Sequence, residues 1–329
     1  MAATAFVSGA TGFIAQHIVK QLLEKGYNVV GSVRSESKGE KLKKNFGSNF
    51  SYEIVEDLET EGAFDKALKR HPEVTVFLHT ASPVTAQAED NEKDIILPAI
   101  NGTVNVLKAI KSSAPQVKKV IITSSGVTQL DGVDLSSTAS EDTWNSISYE
   151  RAKEDGIAAY IGSKTFAEKA AVEFVETEKP NFAVSTIHPV LVIGPQAFDS
   201  EAKGQLNLSN TYVSGLLNLK ASEGGELPQS DGIFVDVRDV AAAHLIAIEK
   251  PTNGLRVLVH SEGYSTQEFL NILNKNFPEL NLIKGSPTEN LVDNKYVGDV
   301  KSREYLGLNY IGLERSVVDT IKQFLEANK

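Results

Sequence analysis

Val7-Ser8-Gly9-Ala10-Thr11-Gly12-Phe13-Ile14-Ala15 is the stretch that decides the fold of this chain. An apolar run ends at Ser8, and a helical pattern opens near Gly12. Gly9 permits a tight turn, Gly12 lets the backbone reach a pyrophosphate, and the small Ala15 lets helix and strand pack closely. The free N–H groups at the helix start would hold the phosphates. The spacing is G-x-x-G-x-x-A, and its weight comes from its place at a first strand-to-helix turn.

Similar apolar runs recur along the chain. Ala5–Ser8 is followed by Val29–Val33, Tyr52–Val55, Val74–His79, Val117–Thr123, Phe182–His188 and Arg256–His260. Amphipathic segments separate them: Ile96, Ile100, Thr103, Val104 and Leu107 share one helical face. Near-continuous apolar strands alternating with helices predict an α/β fold, a doubly wound parallel sheet joined by right-handed crossovers. After Pro195 the alternation lapses, apart from a helix expected near Ser209–Lys220. The expected division is a nucleotide-binding domain over 1–195, to which about 236–260 return, and a smaller interleaved lobe over 196–235 and 261–329.

Composition excludes several chemistries. With 329 residues, 41% hydrophobic and 23% charged, the chain is an ordinary globular one of about two domains. It contains no cysteine, so disulfides, thiolate nucleophiles and Cys-ligated metals are excluded. None of the six histidines pairs at i,i+4, and no metal site is expected. With 33 Lys+Arg against 43 Asp+Glu, the net charge is −10, which argues against a nucleic-acid partner. No secretory signal and no apolar run of ~20 residues is evident, so a cytoplasmic protein with no membrane partner is expected.

The end of the second strand carries Arg34-Ser35-Glu36-Ser37-Lys38. An acidic residue at that place suits a free ribose hydroxyl. Arg34 instead offers a bidentate clamp for a 2′-phosphate, and Lys38 a point charge, which predicts NADPH over NADH. Asp57-Leu58, after the third strand, is placed either to edge the adenine or to cap a turn.

Tyr160-Ile161-Gly162-Ser163-Lys164 puts a phenol and an ammonium one helical turn apart, on the line of the apolar Ala167, Ala171 and Phe174. An ammonium on a buried stripe is costly and asks for a reason. Carbonyl reduction supplies one: the oxygen that gains charge must be protonated, and a nearby Lys⁺ is expected to lower the phenol's pKa. Thr123-Ser124-Ser125 follows a strand at the sheet edge where ligands of this architecture sit, and Ser125 is the expected polarising hydroxyl, with Ser124 capping backbone.

Taken in order, Gly9-Ala10-Thr11-Gly12-Phe13-Ile14-Ala15, Arg34, His79-Thr80-Ala81-Ser82, Thr123-Ser124-Ser125, Tyr160 with Lys164, Pro189 and Asp236-Val237-Arg238-Asp239-Val240 resemble the extended short-chain dehydrogenase/reductases. Within them the chain is most similar to the dihydroflavonol-reductase-like branch and its yeast NADPH-dependent carbonyl and methylglyoxal reductases. The resemblance implies that Gly9, Ala10, Thr11, Gly12, Phe13 and Ile14 line the pyrophosphate, Arg34 and Lys38 the 2′-phosphate, and Asp57 and Leu58 the adenine. It implies further cofactor contacts from Tyr160, Lys164, Pro189, Val192 and Ser209, and a catalytic trio of Ser125, Tyr160 and Lys164. Gly126 stands where similar reductases carry a bulky aromatic, which leaves room beside the carbonyl; Val84 and Val127 are candidate lining or core positions.

The expected activity is NADPH-dependent reduction of aldehydes and ketones, including α-dicarbonyls such as methylglyoxal, keto esters and aryl ketones, by a monomer or homodimer acting on a small carbonyl substrate. The alternatives are a 3β-hydroxysteroid dehydrogenase, a nucleotide-sugar epimerase, or an NADP-sensing module without turnover. His188 and His260 read as buried, satisfied histidines, Asp236 as a helix N-cap, and Trp144 as the anchor of a polar loop.

Overall fold

The computed structural model describes residues 3–82, 88–133, 139–222, 227–228, 230–286 and 297–329. The chain divides into two compact units, Met1–His188 with Ala241–Leu258, and Pro189–Val240 with Val259–Lys329.

The first unit is built on a parallel sheet. Its strands are β1 (Thr4–Ser8), β2 (Asn28–Val33), β3 (Phe50–Ile54), β4 (Val74–His79), β5 (Lys119–Thr123), β7 (Ala183–Pro189) and β10 (Arg256–Val259); a two-residue β6 (Ala139–Ser140) lies in a loop. The order across the sheet is β10-β7-β5-β4-β1-β2-β3, so the direction of winding reverses between β1 and β4. All five residues of β1 are buried, as expected of a strand covered on both faces. Phe6 of β1 stacks on Phe77 of β4 at 4.9 Å, and Phe64 meets both rings edge-on. Such pairs add about 0.5–1.5 kcal/mol beyond their burial.

The helices that matter for function follow these strands. They are α1 (Phe13–Glu24), α2 (Glu36–Phe46), α4 (Leu97–Ser113) and α6 (Gly156–Glu178), with short α3 (Asp65–Arg70) and α5 (Tyr149–Ala152). Asp155 starts α6: its carboxylate accepts the Ala158 N–H at 2.8 Å, a cap worth about 1 kcal/mol. Gly162 lets α5 pack against α6, since a Cβ there would lie 2.4 Å from that of Ala152.

The second unit has its own sheet and core. β8 (Leu191–Ile193) pairs parallel with β9 (Asp231–Asp236), which pairs antiparallel with β11 (Glu262–Ser265). Phe234, stacked Tyr264 and Phe269, and Val317 and Ile321 of the last helix (Leu313–Ala327) form its core. Asp236 caps the helix that begins at Val237, accepting the Arg238 N–H at 2.8 Å.

Three expectations are corrected. Residues 189–195, 236–240 and 259–260 belong to the second unit, because β8 joins β9 rather than the large sheet. The stretch over 196–235 holds a strand, β9, that Gly232 and the flanking acids disguise. The helix expected near Ser209–Lys220 is a 3-10 turn (Leu208–Asn210), one α turn (Thr211–Ser214) and a second 3-10 turn starting at Gly215. Glycine's backbone freedom disfavours a continuous helix there.

Candidate active site

β1 and β4 lie side by side, and the loops leaving them meet where the winding reverses, the place where open α/β sheets bind ligands. Gly9 adopts φ +64°, and a Cβ there would sit 2.9 Å from Ala81 Cβ and 3.0 Å from Ala81 Cα. Glycine is required twice over, by the dihedral and by the approach of the second loop. Ser8 Oγ accepts the N–H groups of Thr80 and Ala81 and bonds His79 Nδ1 at 2.9 Å, which ties that loop to β1. Gln16 donates to the Thr11 carbonyl at 3.1 Å.

α1 starts at an N-cap, Gly12, with no side-chain cap, and its first turn holds no acidic residue. An uncapped helix start at the end of β1 is a site for an anion. Arg34 and Lys38 are exposed at the start of the next crossover, where Ser35 is the N-cap of α2 and also makes no side-chain cap. Asp57 turns its carboxylate into its own loop, accepting from Glu59 N at 2.8 Å and Thr60 Oγ1 at 3.0 Å, as a turn cap does. Leu58 packs on the backbone of α4 at Gly102.

Tyr160 and Ser125 are brought together from α6 and the end of β5. The Tyr160 hydroxyl donates to Ser125 Oγ at 3.3 Å. Ser125 is itself the N-cap of the 3-10 turn Gly126–Gln129, accepting from Val127 N at 3.4 Å. Ser124 does not cap backbone; it donates to Glu168 Oε2 at 2.5 Å. Val127 is partly buried and packs against the cluster of Ile95, Ile96 and Ile161, and Gly126 is buried. Val84 lies outside the described residues.

Lys164 stands one turn after Tyr160. Burial lowers its ammonium to about 8, while the Glu168 carboxylate holds it up. Among the described residues its ammonium makes no hydrogen bond and no ion pair. His79 is driven by burial, and then by Lys164, to about 3, so it is neutral. Burial raises the Tyr160 phenol above its ordinary value, and the Ser125 bond opposes that. That direction is opposite to the lowering expected from Lys164, although Tyr160 keeps 37% of its surface exposed.

Pro189, Val192 and Ser209 belong to the second unit. Pro189 ends β7, Val192 faces Val235 across the β8–β9 pair, and Ser209 Oγ accepts from Asn207 at 2.8 Å. His188 and His260 are buried and bonded as expected. A groove of about 770 Å³ runs along α4 and α6, lined by Glu61, Asp65, Lys108, Lys111, Glu173 and Glu178 among others; it contains neither Tyr160 nor Ser125.

Sequence reasoning missed Glu168 and Arg256. Glu168 continues the Tyr160–Lys164 spacing by one more turn onto the buried stripe, and that spacing was a usable signal. Arg256 lies 88 residues from its partner, and no local pattern marks it.

A doubly wound sheet, an uncapped helix at its switch point, and a serine–tyrosine pair followed by a lysine are the arrangement expected of a short-chain dehydrogenase-type enzyme. The model of the NAD dependent epimerase/dehydratase family matches residues 5–259, and the chain belongs to that family. It is 47% identical over 342 residues, covering 98% of both chains, to the putative NADPH-dependent methylglyoxal reductase GRP2 of Candida albicans. It is 40% identical over 336 residues, again 98% of both, to the NADPH-dependent methylglyoxal reductase GRE2 of Saccharomyces cerevisiae. The crystal structure of Gre2 from Candida albicans in complex with NADPH superposes with a TM-score of 0.93 at 45% identity, covering 99% of this chain and 100% of that one. Among the described residues no helix is long and apolar enough to cross a membrane.

Proposed function

We propose that this chain is an NADPH-dependent carbonyl reductase, an oxidoreductase that converts aldehydes and ketones to alcohols. The observation that carries the reading is the Tyr160–Ser125 hydrogen bond with Lys164 one turn further along the same helix. The names of its relatives support the cofactor and the reaction class. The carbonyls proposed are aldehydes, α-dicarbonyls such as methylglyoxal, keto esters and aryl ketones. A cytoplasmic monomer or homodimer is part of the proposal.

The residues present fit the cofactor. The uncapped start of α1 suits a diphosphate held by Gly9 to Ile14, and Arg34 with Lys38 suit a 2′-phosphate. Lys164, partnerless among the described residues, suits the nicotinamide ribose, and Pro189, Val192 and Ser209 are proposed as further contacts. A bound reduced nicotinamide supplies the hydride. Ser125 accepts from Val127 and has its own proton to offer the carbonyl oxygen, and with a carbonyl bound the Tyr160 hydroxyl turns from Ser125 to that same oxygen. Tyr160 gives its phenolic proton to the oxygen as charge builds. A raised phenol pKa is no obstacle: the nascent alkoxide is far more basic than a phenolate, so the transfer runs downhill. Lys164, charged at neutral pH, then stabilises the phenolate. Gly126 and Val127, next to Ser125, border the carbonyl in this reading.

The test is NADPH oxidation followed with each carbonyl class, the products resolved on a chiral column, and a parallel assay with UDP-sugars. Steady turnover of a carbonyl is the expected result. Epimerisation of a UDP-sugar with no carbonyl reduction would overturn the reading.

A further inference from the structure

Behind the serine–tyrosine pair lies a buried ionic assembly that the mechanism does not use. Glu168 is 2% exposed. Its Oε2 accepts from Ser124 Oγ at 2.5 Å, and its Oε1 accepts from Arg256 Nε at 2.6 Å. His188, fully buried on β7, sets Nε2 3.4 Å from the same carboxylate and Nδ1 3.2 Å from the Ser125 carbonyl. The other side of Arg256 is engaged too. Its Nη1 donates to the carbonyls of Glu141 and Thr143, its Nη2 reaches Thr128 Oγ1 at 3.4 Å, and its guanidinium stacks 3.8 Å over Trp144.

These contacts grip the turn over 124–128 on both sides of Ser125 while leaving the Ser125 hydroxyl to Tyr160. A buried carboxylate is costly unless paired, and here it is paired with a cation that never titrates. Burial would raise the Glu168 carboxyl, but the neighbouring His188 and Arg256 and the Ser124 hydroxyl hold it below the usual range; of the two ring and guanidinium neighbours, Arg256 is the one that stays charged when burial keeps His188 neutral. His188 is lowered by burial.

We propose that Glu168 is a positioning residue for the reaction: with Arg256 it fixes the turn that aims Ser125 at Tyr160, and it is the counter-charge for Lys164 one turn away on α6. This deepens the carbonyl-reductase reading and rests on it. The titratable groups that act on Lys164 are Glu168, one turn on along α6, and the neutral His79 on β4; those facing Glu168 are Arg256, His188 and Lys164.

The test compares wild type with Glu168→Gln, Ser124→Ala, and the charge-balanced Glu168→Gln/Arg256→Met pair, in NADPH oxidation with a carbonyl the wild type turns over. Glu168→Gln is expected to lower kcat about 10- to 100-fold with the KM for NADPH nearly unchanged, since a small misplacement at a reacting centre costs that much. It is also expected to move the alkaline fall of kcat to lower pH by roughly one unit, because Lys164 loses its counter-charge. Ser124→Ala cuts the link to the turn but leaves the charges, so kcat falls while the alkaline limb stays in place. If Glu168→Gln fails to fold, the charge-balanced pair and Ser124→Ala decide. Wild-type kcat and an unmoved alkaline limb in the folded Glu168 variant, or unchanged kcat in Ser124→Ala, overturn the proposal. Tyr160→Phe, run alongside, separates the two levels. An active Tyr160→Phe sinks the carbonyl-reductase mechanism itself, whereas an inactive one beside a normal Glu168→Gln sinks only the positioning role.

Discussion

The Tyr160 hydroxyl donates to Ser125 Oγ across 3.3 Å, joining two residues 35 positions apart in the chain. One comes from the second turn of α6 and the other from the end of β5, and both elements have buried faces that leave little freedom to drift. Replacing Tyr160 by Phe removes the proton and keeps the ring. Turnover is expected to drop by about 10²–10⁴, with NADPH binding retained. Steady-state kinetics beside a cofactor titration check this; near-normal kcat would remove the phenol from the reaction.

Arg34 and Lys38 are exposed beside the uncapped start of α2. Substituting both with Ala is expected to raise the KM for NADPH strongly and to leave the KM for NADH almost unchanged, because the latter lacks the phosphate they would clamp. Equal effects on the two cofactors would contradict that role.

Lys164 is expected to set the alkaline edge of activity. Burial brings its ammonium down to about 8, so it is charged at pH 7 and loses its proton as pH rises through 8. Carbonyl reduction, which needs both the ammonium and the phenolic proton, is expected to fall over that window. A profile of kcat against pH flat from 7 to 10 would show that the ammonium charge is not needed.

His79 ties acid stability to the same region. Its folded pKa, about 3, is depressed by burial below the ordinary 6.5. A depressed pKa contributes stability that is present above 6.5 and is lost as pH falls toward 3. His79→Gln is expected to flatten that part of the stability curve, read as the melting temperature at a series of pH values. An unchanged slope would assign acid sensitivity to other groups.

The large sheet was legible because each of its strands is an apolar run bounded by turn residues, and burial on both faces demands that pattern. β9 was not, since Asp231-Gly232 breaks the run and the strand has only one well-buried end. The Gly9 turn, Tyr160 and Lys164 could be read from spacing, because a local turn or a single helix sets their geometry. The orientation of Asp57 and the bond from Ser124 to Glu168 could not, because both depend on partners supplied by the folded chain.

Trp144 is the chain's single tryptophan, and its indole lies against the Arg256 guanidinium. Its fluorescence therefore originates from one known spot beside the Glu168 assembly. Any ligand or substitution that slackens Arg256 would register as a change in emission, giving a label-free optical gauge of that region independent of turnover.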